Sequence, residues 1–272
     1  MVSALRTDPF AGAILQVGVL AALAGTAGLS AYGWLAGLLF GVVTVAALGY
    51  GLRRSGADRL GPADWVTLTR ATLTGGVFAL TVDSFRGPIV VPVLVVLSAV
   101  ALSLDWVDGQ VARRTGTASA LGARFDMEVD SFLVLVLCGY VADQVGAWVL
   151  VIGAMRYVFV AAGWVLPWMR GSLPPRYWRK VVAATQGIAL AVVAAGVLPR
   201  PLAVAVLLGA LALLVESFGR DVGWLWRHRA RPAPRPEALP APVSPAPAHH
   251  RSEWTPGVRI TRQPAEAGGR RR

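Results

Sequence analysis

Long stretches almost free of charge recur along this chain, and they decide what it can fold into. A helix needs about 20 consecutive apolar residues to cross the hydrocarbon layer of a membrane. Inside that layer every backbone N–H and C=O must be bonded within the segment, which a helix does by itself. Phe10–Leu29, Tyr32–Leu52, Trp65–Phe85, Pro88–Leu104, Phe125–Tyr140, Ala147–Met169, Val181–Leu198 and Leu202–Phe218 read as eight such helices. Only 15% of the residues are charged and 55% are apolar, against about 25% charged in a typical soluble domain. Phe10–Leu29 has only Arg6 before it and a second apolar run directly after it. It therefore reads as a retained span and not a cleaved signal peptide.

The arginines set the expected orientation. Arg53, Arg54 and Arg59 follow the second run, Arg113, Arg114 and Arg124 lie between the fourth and fifth, and Arg170, Arg176, Arg179 and Lys180 lie between the sixth and seventh. The opposite loops hold only Arg86 and Arg200. Basic loops stay on the cytosolic side, so the reading is a multi-pass protein of the cell membrane with both termini cytosolic. The net charge is +11. From Gly219 to Arg272 eleven arginines face Asp221, Glu237, Glu253 and Glu266, a local net of +7. After about Arg229 proline, alanine and arginine dominate, a composition that cannot offset ordering entropy and reads as disordered. Such a tail can bind nucleic acid; beside membrane spans, anionic lipid headgroups are the favoured partner. Cys138 is the sole cysteine, which excludes an intrachain disulfide framework and reads as a small apolar side chain.

Aspartates at a membrane boundary are costly unless used, and here four occur in register. Asp105 and Asp108 are three apart and share a helix face; Asp126 and Asp130 are four apart and share a face of the next, oppositely directed helix. All four carboxylates then converge at the cytosolic end. Without counter-charge they would repel. A hard divalent cation resolves this, and an all-oxygen set favours Mg²⁺, Mn²⁺ or Ca²⁺. Two metals at such a site clamp both oxygens of a phosphoryl displacement. Gly109 and Ala112 leave a gap beside the metals, and Arg113 suits a pyrophosphate oxygen.

This segment resembles the CDP-alcohol phosphatidyltransferases, whose signature D-x2-D-G-x2-A-R-x8-G-x3-D-x3-D is complete at Asp105, Asp108, Gly109, Ala112, Arg113, Gly122, Asp126 and Asp130. The resemblance implies that Asp105, Asp108 and Asp126 bind divalent metal. It implies that Asp130 also lies at the metals and is the general base on the acceptor hydroxyl. Gly109, Ala112, Arg113 and Gly122 would surround the CDP moiety. Family members begin their six-helix core with N-x-x-T-x-x-R; here Asp64 stands in place of asparagine, with Thr67 and Arg70 at the other positions. The resemblance implies that Thr67 and Arg70 also bind the CDP-lipid; read from the residues alone, Arg70 is as readily a side chain snorkelling to the cytosolic interface.

The expected fold is thus an all-α polytopic membrane protein with a six-helix transferase core (60–218). An extra transmembrane hairpin and basic loop (1–59) precede the core, and a basic tail (219–272) follows it. The expected activity moves a phosphatidyl group from CDP-diacylglycerol to an alcohol, releasing CMP, with Mg²⁺ or Mn²⁺, two ions being favoured. A cation transporter or a non-catalytic scaffold is the alternative. The aspartates cluster at one membrane face and the signature is intact, which favours the enzyme. Membrane lipids are expected partners, nucleic acid is not, and a homodimer is left open. Arg156, in the sixth run, needs an anionic partner: Glu128, Glu216 or a substrate phosphate. Arg179 and Lys180 open the seventh run. Lys180 and Gln186 match part of a G-K-x-K-T-x-x-Q segment of the phosphatidylglycerophosphate synthases, while Val182 and Ala183 depart from it. Arg156, Arg179 and Lys180 are the candidate acceptor-binding cations.

Overall fold

The computed structural model describes residues 7–55, 62–115, 120–171, 173–174 and 176–229, some of them by backbone alone. Among them are eight α-helices and no strand: α1 (Thr7–Ala27), α2 (Ala31–Ser55), α3 (Pro62–Ser84), α4 (Val91–Thr115), α5 (Ala120–Val145), α6 (Leu150–Val165), α7 (Tyr177–Ala194) and α8 (Arg200–His228). Short 3₁₀ turns, Ala147–Val149 and Pro167–Arg170, flank α6. Residues 231–272, which carry most of the expected disordered tail, lie outside the described residues, as do 56–61 with Arg59.

Local chemistry sets the helix ends. Pro62 starts α3, where its missing N–H costs nothing. Pro199 caps α8 and Pro201 occupies its first turn. Gly196, at φ 68°, closes α7 in the left-handed conformation that glycine adopts without strain. Several boundaries differ from the sequence reading, and α5 is longer at both ends. α4 runs through the polar stretch to Thr115. α8 continues ten residues past Phe218 to His228, because Asp221 and Leu225 bury themselves on its inner face.

α3 packs on α1, α2, α4 and α5, while α5 also meets α6, α7 and α8. These two helices form the axis of the bundle. The core between them and their neighbours is aliphatic, with Leu80, Leu94, Leu133, Leu137, Leu190 and Leu207 almost wholly buried. The outer surface is apolar too: Ile14, Val42, Val158 and Val165 are all exposed. Several hydroxyls bond back to their own helix, as suits hydrocarbon surroundings. Ser98 donates to Leu94 O, Ser103 to Ala99 O and Thr185 to Val181 O, each one turn back. Three helical segments, Ala31–Arg54, Ala147–Val165 and Arg200–His228, are long and apolar enough to span a membrane, and Ala11–Ala27 and Val91–Asp105 are shorter apolar stretches. α3, α4 and α5 are equally long but carry the ionisable residues of the site, which lowers their hydropathy.

The N-terminal hairpin is locked to α3 at the end remote from the aspartates. Asp83 Oδ2 accepts the Ser30 backbone N–H at 2.8 Å and Oδ1 accepts the Ser30 hydroxyl. Ser30 Oγ in turn accepts the N–H of Tyr32 at 3.2 Å, capping α2. Arg86 lies over the Tyr32 ring, 3.4 Å from its centroid. Asp83→Ala leaves these donors without their acceptor. It should cost about 1–3 kcal/mol, read as a lowered unfolding midpoint in detergent, with Asp83→Asn recovering part of the loss.

Candidate active site

Arg70 lies two turns into α3 and its side chain is fully buried. An arginine in such a place needs acceptors for its five N–H groups. Nε donates to the Ala101 carbonyl of α4 at 3.2 Å. Nη1 sits 3.2 Å from Asp105 Oδ1 and hydrogen-bonds Asp126 Oδ1. Nη2 hydrogen-bonds Asp130 Oδ1. One guanidinium thus meets carboxylates from two helices. This corrects the snorkelling reading: the Arg70 side chain is fully buried and turns inward to an anionic cluster that supplies its acceptors.

Asp105, Asp126 and Asp130 each place a carboxylate oxygen within 4.8 Å of the other two. Three of the four expected carboxylates therefore converge, as their spacing on antiparallel helices requires. Their side chains remain 46%, 30% and 38% exposed, so each keeps an accessible oxygen. Asp108, Gly109, Ala112 and Arg113 fall within the span of α4, and their side chains lie outside what is described. Thr67 is buried one turn before Arg70, and Gly122 is half-buried one turn before Asp126.

The donor set fits a divalent cation. Three carboxylates against one guanidinium leave a net charge of −2 on the described groups. All the donor atoms are hard oxygens, which suits Mg²⁺ or Mn²⁺. Mg²⁺ is commonly held by one or two carboxylates plus substrate phosphates, and the accessible oxygens leave room for such a ligand.

Two of the three expected acceptor cations have protein partners among the described residues. Arg156 of α6 hydrogen-bonds Glu128 of α5 through Nη2, so Glu128 and not Glu216 is its carboxylate. Glu216 instead pairs with Arg220 and accepts the Trp178 indole N–H at 3.2 Å. Arg179 Nε lies 3.2 Å from Asp221 Oδ2 of α8, and its Nη2 donates to the Pro174 carbonyl. Lys180 is exposed. Gln186 donates to the Ala210 carbonyl at 2.9 Å and joins α7 to α8.

Sequence reasoning missed the joint grip of Arg70 on three aspartates. The only signal for it was a cation one helical turn inside an apolar run. It also missed Asp221, hidden among the arginines of the tail.

Arg70→Met removes the counter-charge while keeping the length of the side chain. In metal-free detergent it should lower stability by about 2 kcal/mol, with added Mg²⁺ recovering more of the loss than an equal concentration of Na⁺ at matched ionic strength. Thermal unfolding with and without Mg²⁺ checks this.

No curated protein and no solved structure matches the chain. A family model described as CDP-alcohol phosphatidyltransferase matches residues 60–216, which takes in α3 to α7, most of α8 and every described carboxylate of the cluster. The match covers more than half of the chain, and with the apolar helical bundle and the aspartate cluster it makes this protein a membrane transferase belonging to the CDP-alcohol phosphatidyltransferase family.

Proposed function

We propose that the protein transfers the phosphatidyl group of CDP-diacylglycerol to the hydroxyl of an alcohol and releases CMP. The observation that carries this reading is the convergence of Asp105, Asp126 and Asp130 around Arg70 in a chain of this family. Asp105, Asp108, Asp126 and Asp130 would hold a pair of Mg²⁺ or Mn²⁺ ions, which when bound supply positive charge to the phosphates. Gly109, Ala112, Arg113 and Gly122 would take the CDP moiety, together with Thr67 of α3.

In this reading Asp130 takes the proton of the acceptor hydroxyl. The acceptor oxygen forms the new bond to the phosphatidyl phosphorus, the bond from that phosphorus to the bridging oxygen breaks, and CMP leaves with the electron pair. Arg70 acts through the carboxylates: its fork fixes the side chains of Asp126 and Asp130, so that they need not reorganise during the reaction. In this reading the chain crosses the membrane eight times with both termini cytosolic, a topology supported by the arginine-rich loops, and a CDP-lipid would present its headgroup to the aspartates from that face.

CMP release from CDP-diacylglycerol should require Mg²⁺ or Mn²⁺ and stop in excess chelator. Asp130→Asn removes the base from an otherwise similar site. It should lower turnover by about 10²-fold or more while donor binding persists. Near-normal turnover in Asp130→Asn places the base elsewhere.

The acceptor we infer is a sugar- or polyol-phosphate. Arg156, Arg179 and Lys180 lie on α6 and α7, and each charge-assisted bond to a phosphate is worth roughly 1.5–3 kcal/mol. Arg156 keeps a buried Nε without a hydrogen-bond partner, which supports an incoming anion there. Arg156→Ala should raise the KM for the acceptor far more than that for CDP-diacylglycerol. Wild-type rates on each phosphorylated alcohol and its free form decide the matter: free alcohols reacting as well or better overturn the phosphate pocket.

A further inference from the structure

We propose that the N-terminal hairpin walls a groove for one acyl chain of the CDP-lipid donor, so that α2 selects donors by chain length; this rests on the donor proposed above. The hairpin lies outside the family match, which begins at residue 60, yet it borders the site. A groove of about 360 Å³ runs between α2 and α5, within the range of roughly 300–1,000 Å³ common for ligand pockets. Phe40, Val43 and Ala47 form its α2 side, and Phe125, Val129 and Phe132 its α5 side.

Three features point to an acyl chain as the occupant. The first is shape. The groove follows α5 from Leu121 to Phe132, about 16 Å by helical rise, close to one leaflet of a hydrocarbon layer roughly 30 Å thick. The deep end is stopped by aromatic rings: Phe40 stacks on Phe132 at 4.8 Å, and Phe78 meets Phe132 edge-on at 5.3 Å. The second is charge. Polar groups gather near the start of α5, where Glu128 is already paired with Arg156. Arg124 lines the same end and makes no ion pair among the described residues. An apolar trough with an arginine at its mouth complements a chain that ends in a phosphate. The third is continuity. Arg124 and Phe125 directly precede Asp126 on α5, and Val129 directly precedes Asp130, so chain and headgroup would be held by one helix.

The wall is fixed in place. At the mouth, a Cβ on Gly51 would lie 2.4 Å from Leu121 Cδ1, so α2 and α5 approach closely and a larger residue there would have to displace the Leu121 side chain. Leu48 and Leu52 bury themselves there with Leu68 against Leu121 and Phe125. At the other end Asp83 holds Ser30.

Two measurements on the full-length protein test this. Ala47→Trp and Val43→Trp fill the groove from the α2 side. In each, the ratio of kcat/KM for CDP-dioleoylglycerol to that for CDP-dihexanoylglycerol should fall about tenfold. An unchanged ratio in both variants overturns the proposal. The second measurement needs no turnover. A CDP-diacylglycerol carrying a diazirine in its acyl chain should label the peptides around Phe40–Leu48 and Phe125–Phe132. Excess CDP-diacylglycerol should suppress the labelling and phosphatidylcholine should not. Labelling absent from α2, or suppressed equally by phosphatidylcholine, marks a general bilayer contact and sinks the idea. Specific labelling without CMP release from any alcohol would leave the groove standing and overturn the proposed reaction. CMP release without labelling of α2 would do the reverse.

Discussion

One buried cation fixes the geometry on which the rest of this site depends. Arg70 on α3 reaches carboxylates on α4 and α5 and a carbonyl of α4. Neither partner is tolerable alone. Three carboxylates drawn within 4.8 Å of each other repel, and a fully buried guanidinium without acceptors carries a large desolvation cost. Together they tie three helices to one another at one end of the bundle. Among the described groups a net −2 remains, which suits a divalent cation.

The remaining charges follow a similar rule at lower intensity. Arg156 is held by Glu128 and Arg179 by Asp221, in each case joining two helices that pack on one another or on a shared neighbour. These pairs are partly exposed, so solvent screens them and they contribute little to stability. They hold the two cations in fixed orientations between neighbouring helices.

The helical class, the polytopic pattern and the converging aspartates were legible in the sequence because each is periodic. Charge-free runs mark helices, and spacings of three and four residues put Asp105 with Asp108 and Asp126 with Asp130. What was not legible depends on contacts between distant segments. Arg70 is 56 residues from Asp126 and 60 from Asp130, so no local pattern links them, and the interface seemed as plausible a destination. Arg156 had two candidate carboxylates on different helices, and only packing selects Glu128. The end of α8 was read too early because Asp221 sits among arginines, where composition suggests a tail; its burial against Arg179 keeps the helix going. The hairpin gave no hint of its purpose, since an apolar helix has the same sequence character whether it faces lipid or borders a groove.

The lock between Ser30 and Asp83 also has a consequence for how the chain is assembled. The N-cap of α2 gains its carboxylate partner from a residue 53 positions later, at the far end of α3. The turn between α1 and α2 therefore stays unclamped until α3 has formed through to Asp83. The order of synthesis becomes an order of fastening: the hairpin arrives first and is secured last. A chain interrupted before Asp83 would lack the carboxylate that ties this turn to the bundle.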